Sequence, residues 1–63
     1  MDKRWRVFAE SVSAGSYYVG IFSGTQEQAK KQAQADWHKE LETYPKSHIV
    51  RQVKWLFTAS EVA

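Results

Sequence analysis

One stretch does most to limit what this chain can become: from Thr25 to Tyr44 the apolar residues recur at helical spacing, and on one side only. The stretch opens with Thr25-x-x-Gln28. At that spacing a threonine hydroxyl accepts from the backbone N–H three residues on, while the glutamine side chain reaches back to the threonine N–H. Ala29, Ala33, Trp37, Leu41 and Tyr44 then fall within an arc of roughly 120°. Such an arc can face one core and no more, so the helix expected over about 26–43 needs a partner layer. It ends where Tyr44 precedes Pro45, because proline disfavours helical geometry in the residue before it. Along it, Glu27 and Lys31 make a favourable pair one turn apart, and Asp36 and Glu40 an unfavourable one.

The partner layer is read from alternation on either side of the helix. Over residues 4–12, Trp5, Val7 and Ala9 fall on one side and Arg4, Arg6, Phe8 and Glu10 on the other. Ser13-Ala14-Gly15-Ser16 has the residues that turns favour, and it leads into the aromatic and β-branched run Tyr17 to Phe22, a second strand over about 17–23. Beyond the helix, Ile49, Val53, Trp55 and Phe57 alternate with Val50, Gln52, Lys54 and Leu56, which predicts a third strand over about 48–59. The short turn makes the first two strands antiparallel, and a right-handed crossover brings the third beside the first. The expected fold is therefore α+β: a two-layer ββαβ unit whose three-stranded antiparallel sheet, order 2-1-3, carries one helix on one face. Trp5, Val7, Ala9, Val19, Ile21, Val53, Trp55 and Phe57 are expected to pack on Ala29, Ala33, Trp37 and Leu41, with the tail from Ser60 onward frayed.

Length allows nothing larger. A chain of 63 residues is one domain, 1–63, and folding removes only about 60% of its extended surface from water. There is no cysteine, so disulfides and thiolate metal sites are excluded and a reducing, cytoplasmic setting is expected. No apolar run follows the charged start Met1 to Arg6, and none is long enough to cross a bilayer, so neither export by a standard signal nor a membrane span is expected.

The net charge of +2 points weakly to polyanions, but its distribution is uneven. Between Glu27 and Glu42 stand three lysines and four acids, whereas the rest of the chain carries six bases and three acids. The positive excess lies in the strands. One helix covers only one face of such a sheet, which leaves Arg4, Arg6, Phe8, Tyr18, Phe22, Gln52, Lys54 and Leu56 pointing to solvent, together with Val50. An uncovered apolar face on a short chain is most often a self-association or protein-partner surface. The second reading is nucleic acid, with rings stacking on bases and cations contacting phosphate.

The stretch Tyr18-Val-Gly20-Ile-Phe22-Ser-Gly24-Thr25-Gln-Glu27-Gln-Ala29 resembles the strand-to-helix passage of the plant ethylene-response DNA-binding domain and of the arm-type domains of tyrosine recombinases. That resemblance covers about a fifth of the chain and implies duplex binding through a sheet backed by a helix. Both families place three strands before the helix, whereas this chain has two before and one after. The same stretch is similar to the first strand and helix of peptidoglycan-binding SPOR domains, whose second half is missing here.

Other constellations carry less. His38 and Glu42 share a helical face and His48 can be drawn near them, yet both helical groups point away from the apolar arc, where solvated side chains are the norm. Gly20-x-x-x-Gly24-Thr25 lacks the lysine of a phosphate loop. No serine has nucleophile-elbow spacing or a base beside it, and one helix on a small sheet leaves little room for a deep pocket. No enzyme activity, cofactor, metal or small-molecule substrate is expected.

Overall fold

The computed structural model describes residues 3–62, and within them the order of elements is strand, strand, helix, strand. Strand β1 spans Arg4–Ser11, β2 Gly15–Ser23, helix α1 Gln26–Leu41 and strand β3 Leu56–Glu61. A single turn of 3-10 helix, Ile49–Arg51, precedes β3. The sheet has order β2-β1-β3 and is antiparallel throughout, with α1 packed against it.

The capping box forms as its residues dictate. Gln28 N–H donates to Thr25 Oγ1 at 3.1 Å, and Thr25 N–H donates to Gln28 Oε1 at 2.9 Å. Gly24 adopts φ +113°, and a Cβ there would lie 2.6 Å from Gln28 Oε1, so a side chain at this position would clash with the cap it precedes. Two long-range bonds hold the helix start to the sheet: Trp5 Nε1 donates to Gly24 O at 2.8 Å, and Gln26 Nε2 to Ala59 O at 3.0 Å. At the other end α1 stops at Leu41 and unwinds through Glu42 to Tyr44, with Tyr44 N–H donating to Leu41 O at 3.0 Å.

Helix and sheet meet by pairing small with large. At one end Ala29 and Ala33 lie over Val7, flanked by Trp5, Phe22 and Phe57. Towards the other end Trp37 and Leu41 cover Ala9 together with Val50, flanked by Trp55 and Phe57. Small side chains opposite bulky ones let the layers close to native density at both ends.

Three expectations need correction. The third strand was expected over about 48–59, but it begins only at Leu56, because its ladder partner runs out: Leu56 pairs with Glu10, and β1 ends one residue later. Residues before Leu56 have no strand to pair with, and their bonds become local. His48 Nδ1 accepts from Val50 N–H, Trp55 Nε1 donates to Val50 O, and Arg51 Nη1 donates to Tyr44 O. Val50 thus turns into the core and Ile49 out to solvent, the reverse of the alternation. The second correction concerns β2, where the pairing jumps from Val7↔Gly20 to Phe8↔Tyr18. Val19 is the extra residue of this bulge, and every residue after it changes face. Phe22 therefore packs with Trp5 toward the helix, while Ile21 pairs with Arg6 and is 44% exposed. Gly20 makes room for the turned-in ring, since a Cβ there would stand 3.3 Å from Phe22 Cε2. Third, Ser60 and Glu61 belong to β3, and Val62 N–H donates to Arg4 O at 2.9 Å, so the tail is tied as far as Val62; Ala63 lies outside the described residues.

Candidate functional site

The side of the sheet away from α1 is open among the described residues. The 3-10 turn packs through Val50 into the helix-side core, and the Cα framework is only 14 Å along its shortest axis, room for two layers. Ladder alternation sets the open face. Its central row is Tyr18, Phe8 and Thr58, with Arg6 between Ile21 and Ser60 on one side and Glu10 between Ser16 and Leu56 on the other. Arg4 ends the β1 column. The Phe8 and Tyr18 rings meet edge to face at 5.5 Å, which fixes an aromatic centre. Around it Leu56 is 70% exposed and Tyr18 54%, so the apolar surface is in water.

Of the residues expected on this face, the structure brings Arg4, Arg6, Phe8, Tyr18 and Leu56 together. Phe22 is not among them, because the bulge turns it inward. Gln52 and Lys54 also fall outside, since both precede β3; the Gln52 side chain donates instead to Ser47 O at 3.4 Å. Ile21 takes the place of Phe22. These changes shift the character of the face: two arginines remain, a carboxylate, Glu10, shares their column, and the lysine is gone.

A second surface was missed by sequence reasoning. Along the open edge of β2, the C-terminal half of α1 and the 3-10 turn enclose a cavity of 380 Å³, lined among others by Tyr17, Tyr18, Trp37, Glu40, Tyr44 and His48. It adjoins a second cavity of 300 Å³ that shares Tyr18, Trp37 and Glu40 and adds Asp36. Tyr17 and Trp37 lie 5.7 Å apart, tilted by 32°, and Trp55 stands edge-on to Trp37 at 5.1 Å. The Trp37 Nε1–H is buried there without a hydrogen-bond acceptor among the described residues. The signal in the sequence was the like-charged pair Asp36 and Glu40, one turn apart and otherwise unexplained.

Among the described residues no group of three His, Cys, Asp or Glu side chains is placed to hold a metal ion, and no helix is long and apolar enough to cross a membrane. Comparison with known proteins finds no matching family model, no matching characterised protein and no matching solved structure.

Proposed function

We propose that this protein is a small interaction module that pairs with a second copy of itself through the open face of its sheet. The observation that carries this reading is the order of side chains along the central strand: Arg4 and Arg6 at one end, Phe8 in the middle and Glu10 at the other. That column is self-complementary. A two-fold axis through Phe8 sets each Arg6 against the Glu10 of the other copy and stacks the Phe8–Tyr18 centres on one another, as an isologous interface requires. The same axis covers Leu56 and Ile21, setting them over Ser60 and Ser16 of the other copy. The exposed charge pairs set register more than affinity, at about 0.2–1 kcal/mol each. A face three strands wide and about eight residues long covers roughly 400 Å² in projection, below the roughly 600 Å² per partner at which stable specific pairs begin, so the pairing is of the weak, transient kind. Association in the micromolar range is therefore expected.

Nucleic acid is the weaker reading once Gln52, Lys54 and Phe22 leave the face, because two arginines offset by Glu10 make a thin footprint for a polyanion. Sedimentation velocity across a concentration series separates the two. A dimer is expected that Phe8→Glu dissociates, that Glu10→Arg weakens, and that the double change Arg6→Glu with Glu10→Arg restores. A chain that stays monomeric at every concentration, or binds oligonucleotide with an affinity that falls steeply with salt, would reject self-pairing.

A further inference from the structure

The cavity at the β2 edge goes beyond pairing through the open face, and its lining selects a chemistry. The rings of Tyr17, Trp37 and Tyr44 border a space that the Tyr18 residue and Glu40 also line. Tyr44 is in turn held against His48, at 4.9 Å between ring centroids. Aromatic faces carry negative quadrupole charge and attract a cation within about 6 Å of the ring centre. The helix side of the cavity is acidic, while Arg51, bonded to Tyr44 O at 3.1 Å, stands at the opposite rim. Asp36 and Glu40 stand one turn apart across the two adjoining cavities, and neither has a salt-bridge partner among the described residues, where the recorded ion pair is Lys3–Glu61 at 3.7 Å. Two like charges at that spacing repel along the helix face, so the fold tolerates an unfavourable pair where a positive ligand would relieve it. Core packing does not ask for them, since both are exposed.

We infer that this cavity binds an organic ammonium cation, of the size of a trimethylated amine, with Trp37 and the tyrosines supplying the rings and Glu40 the counter-charge. A compact, strongly hydrated metal ion would gain little from such walls. A methylated ammonium is weakly hydrated and presents C–H surface to the rings, which suits a half-open site that mixes aromatic walls with a carboxylate. The space suffices, since 380 Å³ lies within the range of small-ligand clefts. The same headgroup can arrive as a free quaternary amine or on the methylated lysine of a protein. In the second case the segment can also add beside β2, whose edge away from β1 has no strand beside it among the described residues.

The test is a titration followed by the indole N–H resonances in two-dimensional NMR, with choline chloride as the free amine and ionic strength held constant with sodium chloride. Saturable shifts of the Trp37 resonance are expected in the millimolar range, while Trp5, bonded to Gly24 O at the far end of the helix, serves as the internal control. Dimethylbutanol, the neutral isostere with carbon in place of the choline nitrogen, is expected to leave Trp37 unmoved. Glu40→Gln and Tyr44→Leu replace exposed side chains, and each is expected to weaken choline roughly fivefold or more. A short extended peptide carrying trimethyllysine then separates the sources: tighter binding than choline assigns the site to a protein segment, and equal binding assigns it to the free amine. Equal shifts from choline and its neutral isostere would overturn the proposal, as would a Trp37 resonance that stays fixed to about 100 mM choline. Neither variant touches Phe8, Arg6 or Glu10, so failure here leaves self-pairing standing, and loss of the dimer leaves this site standing.

Discussion

The two faces of the sheet are made from one strand, yet they have opposite fates. On the helix side Val7 and Ala9 have no exposure at all, whereas on the other side of β1 Arg4 and Arg6 are exposed and Phe8 is half-buried, with the Tyr18 ring edge-on beside it. Strand propensity cannot explain the difference, because alternate residues share the same backbone. What differs is the layer across the way. Ala29 and Ala33 let the helix approach Val7 closely, and Trp37 and Leu41 fill the space above Ala9; no element of the described chain does the same for Phe8, Ile21 and Leu56. One face is completed within the described chain, and the other stays open. One helix covers one side of a sheet this wide and leaves the other bare.

The strongest way to break that comparison is to remove the side chain that closes the inner face. Trp37→Ala deletes a buried ring from the cluster with Ala9, Leu41 and Val50, and a loss of about 3–5 kcal/mol is expected in urea unfolding. For a domain whose total stability is about 5 kcal/mol, that is enough to populate the unfolded chain without denaturant. A loss under about 1 kcal/mol would mean that helix and sheet are not held together by this packing.

The second change sharpens the comparison at two neighbours on β2. Phe22→Ala should cost about 2 kcal/mol, less than a fully buried ring because Phe22 is only partly enclosed, while Ile21→Ala should stay within about 0.5 kcal/mol. Both are measured in a Phe8→Glu background, so that unfolding is not coupled to association. Equal costs would show that the bulge at Val19 does not set the register in solution.

That bulge also marks where the sequence stopped being readable. The capping box, the one-sided helix and the alternation of Trp5, Val7 and Ala9 each depend on residues within a turn or a strand of one another, and they led directly to the ββαβ order, the antiparallel 2-1-3 sheet and the central part of the core. Two features depended on partners instead. A single inserted residue exchanges Ile21 for Phe22, yet Tyr17 to Phe22 alternates plausibly in either phase; the room Gly20 leaves for the Phe22 ring is visible only in three dimensions. Likewise, alternation from Ile49 to Ala59 predicts a strand of about 12 residues, but a strand can pair only as far as its neighbour extends, and β1 spans 8. Val50 then serves the core through a 3-10 turn. For the open face, this meant that Arg4, Arg6, Phe8, Tyr18 and Leu56 were legible because they sit on the undisturbed ladder. Phe22, Gln52 and Lys54 lay beyond the bulge or beyond the end of pairing. The edge cavity joins residues from three elements, and only the repulsive pair Asp36 and Glu40 hinted at it.

A smaller effect tests how the helix comes to lie on one face. Thr25→Ala removes the acceptor for Gln28 N–H, and a loss of about 1 kcal/mol is expected, read as a lower urea midpoint with an unchanged slope. Because Trp5 Nε1 and Gln26 Nε2 also anchor this end, the helix should keep its place although its first turn frays. Hydrogen exchange would show this as faster exchange confined to Gln28 and its neighbours; acceleration along the whole of α1 would mean that the cap, and not the core, holds the helix on the sheet.

The smallest expected change in stability falls on the open face, and it discriminates most. Leu56 is 70% exposed and lies opposite Glu10 on the outer ladder, so Leu56→Ser removes little that the monomer buries. Unfolding of the Phe8→Glu monomer should shift by no more than about 0.5 kcal/mol on adding it. In the otherwise unchanged chain the same substitution removes apolar contact from the proposed interface, and the dimer dissociation constant should rise roughly tenfold, about 1.4 kcal/mol. The two measurements use one side chain against two reference states. If Leu56→Ser destabilised the monomer as much as the dimer, the outer face would already be buried by something within the chain, and the contrast between the two sides of β1 would be lost.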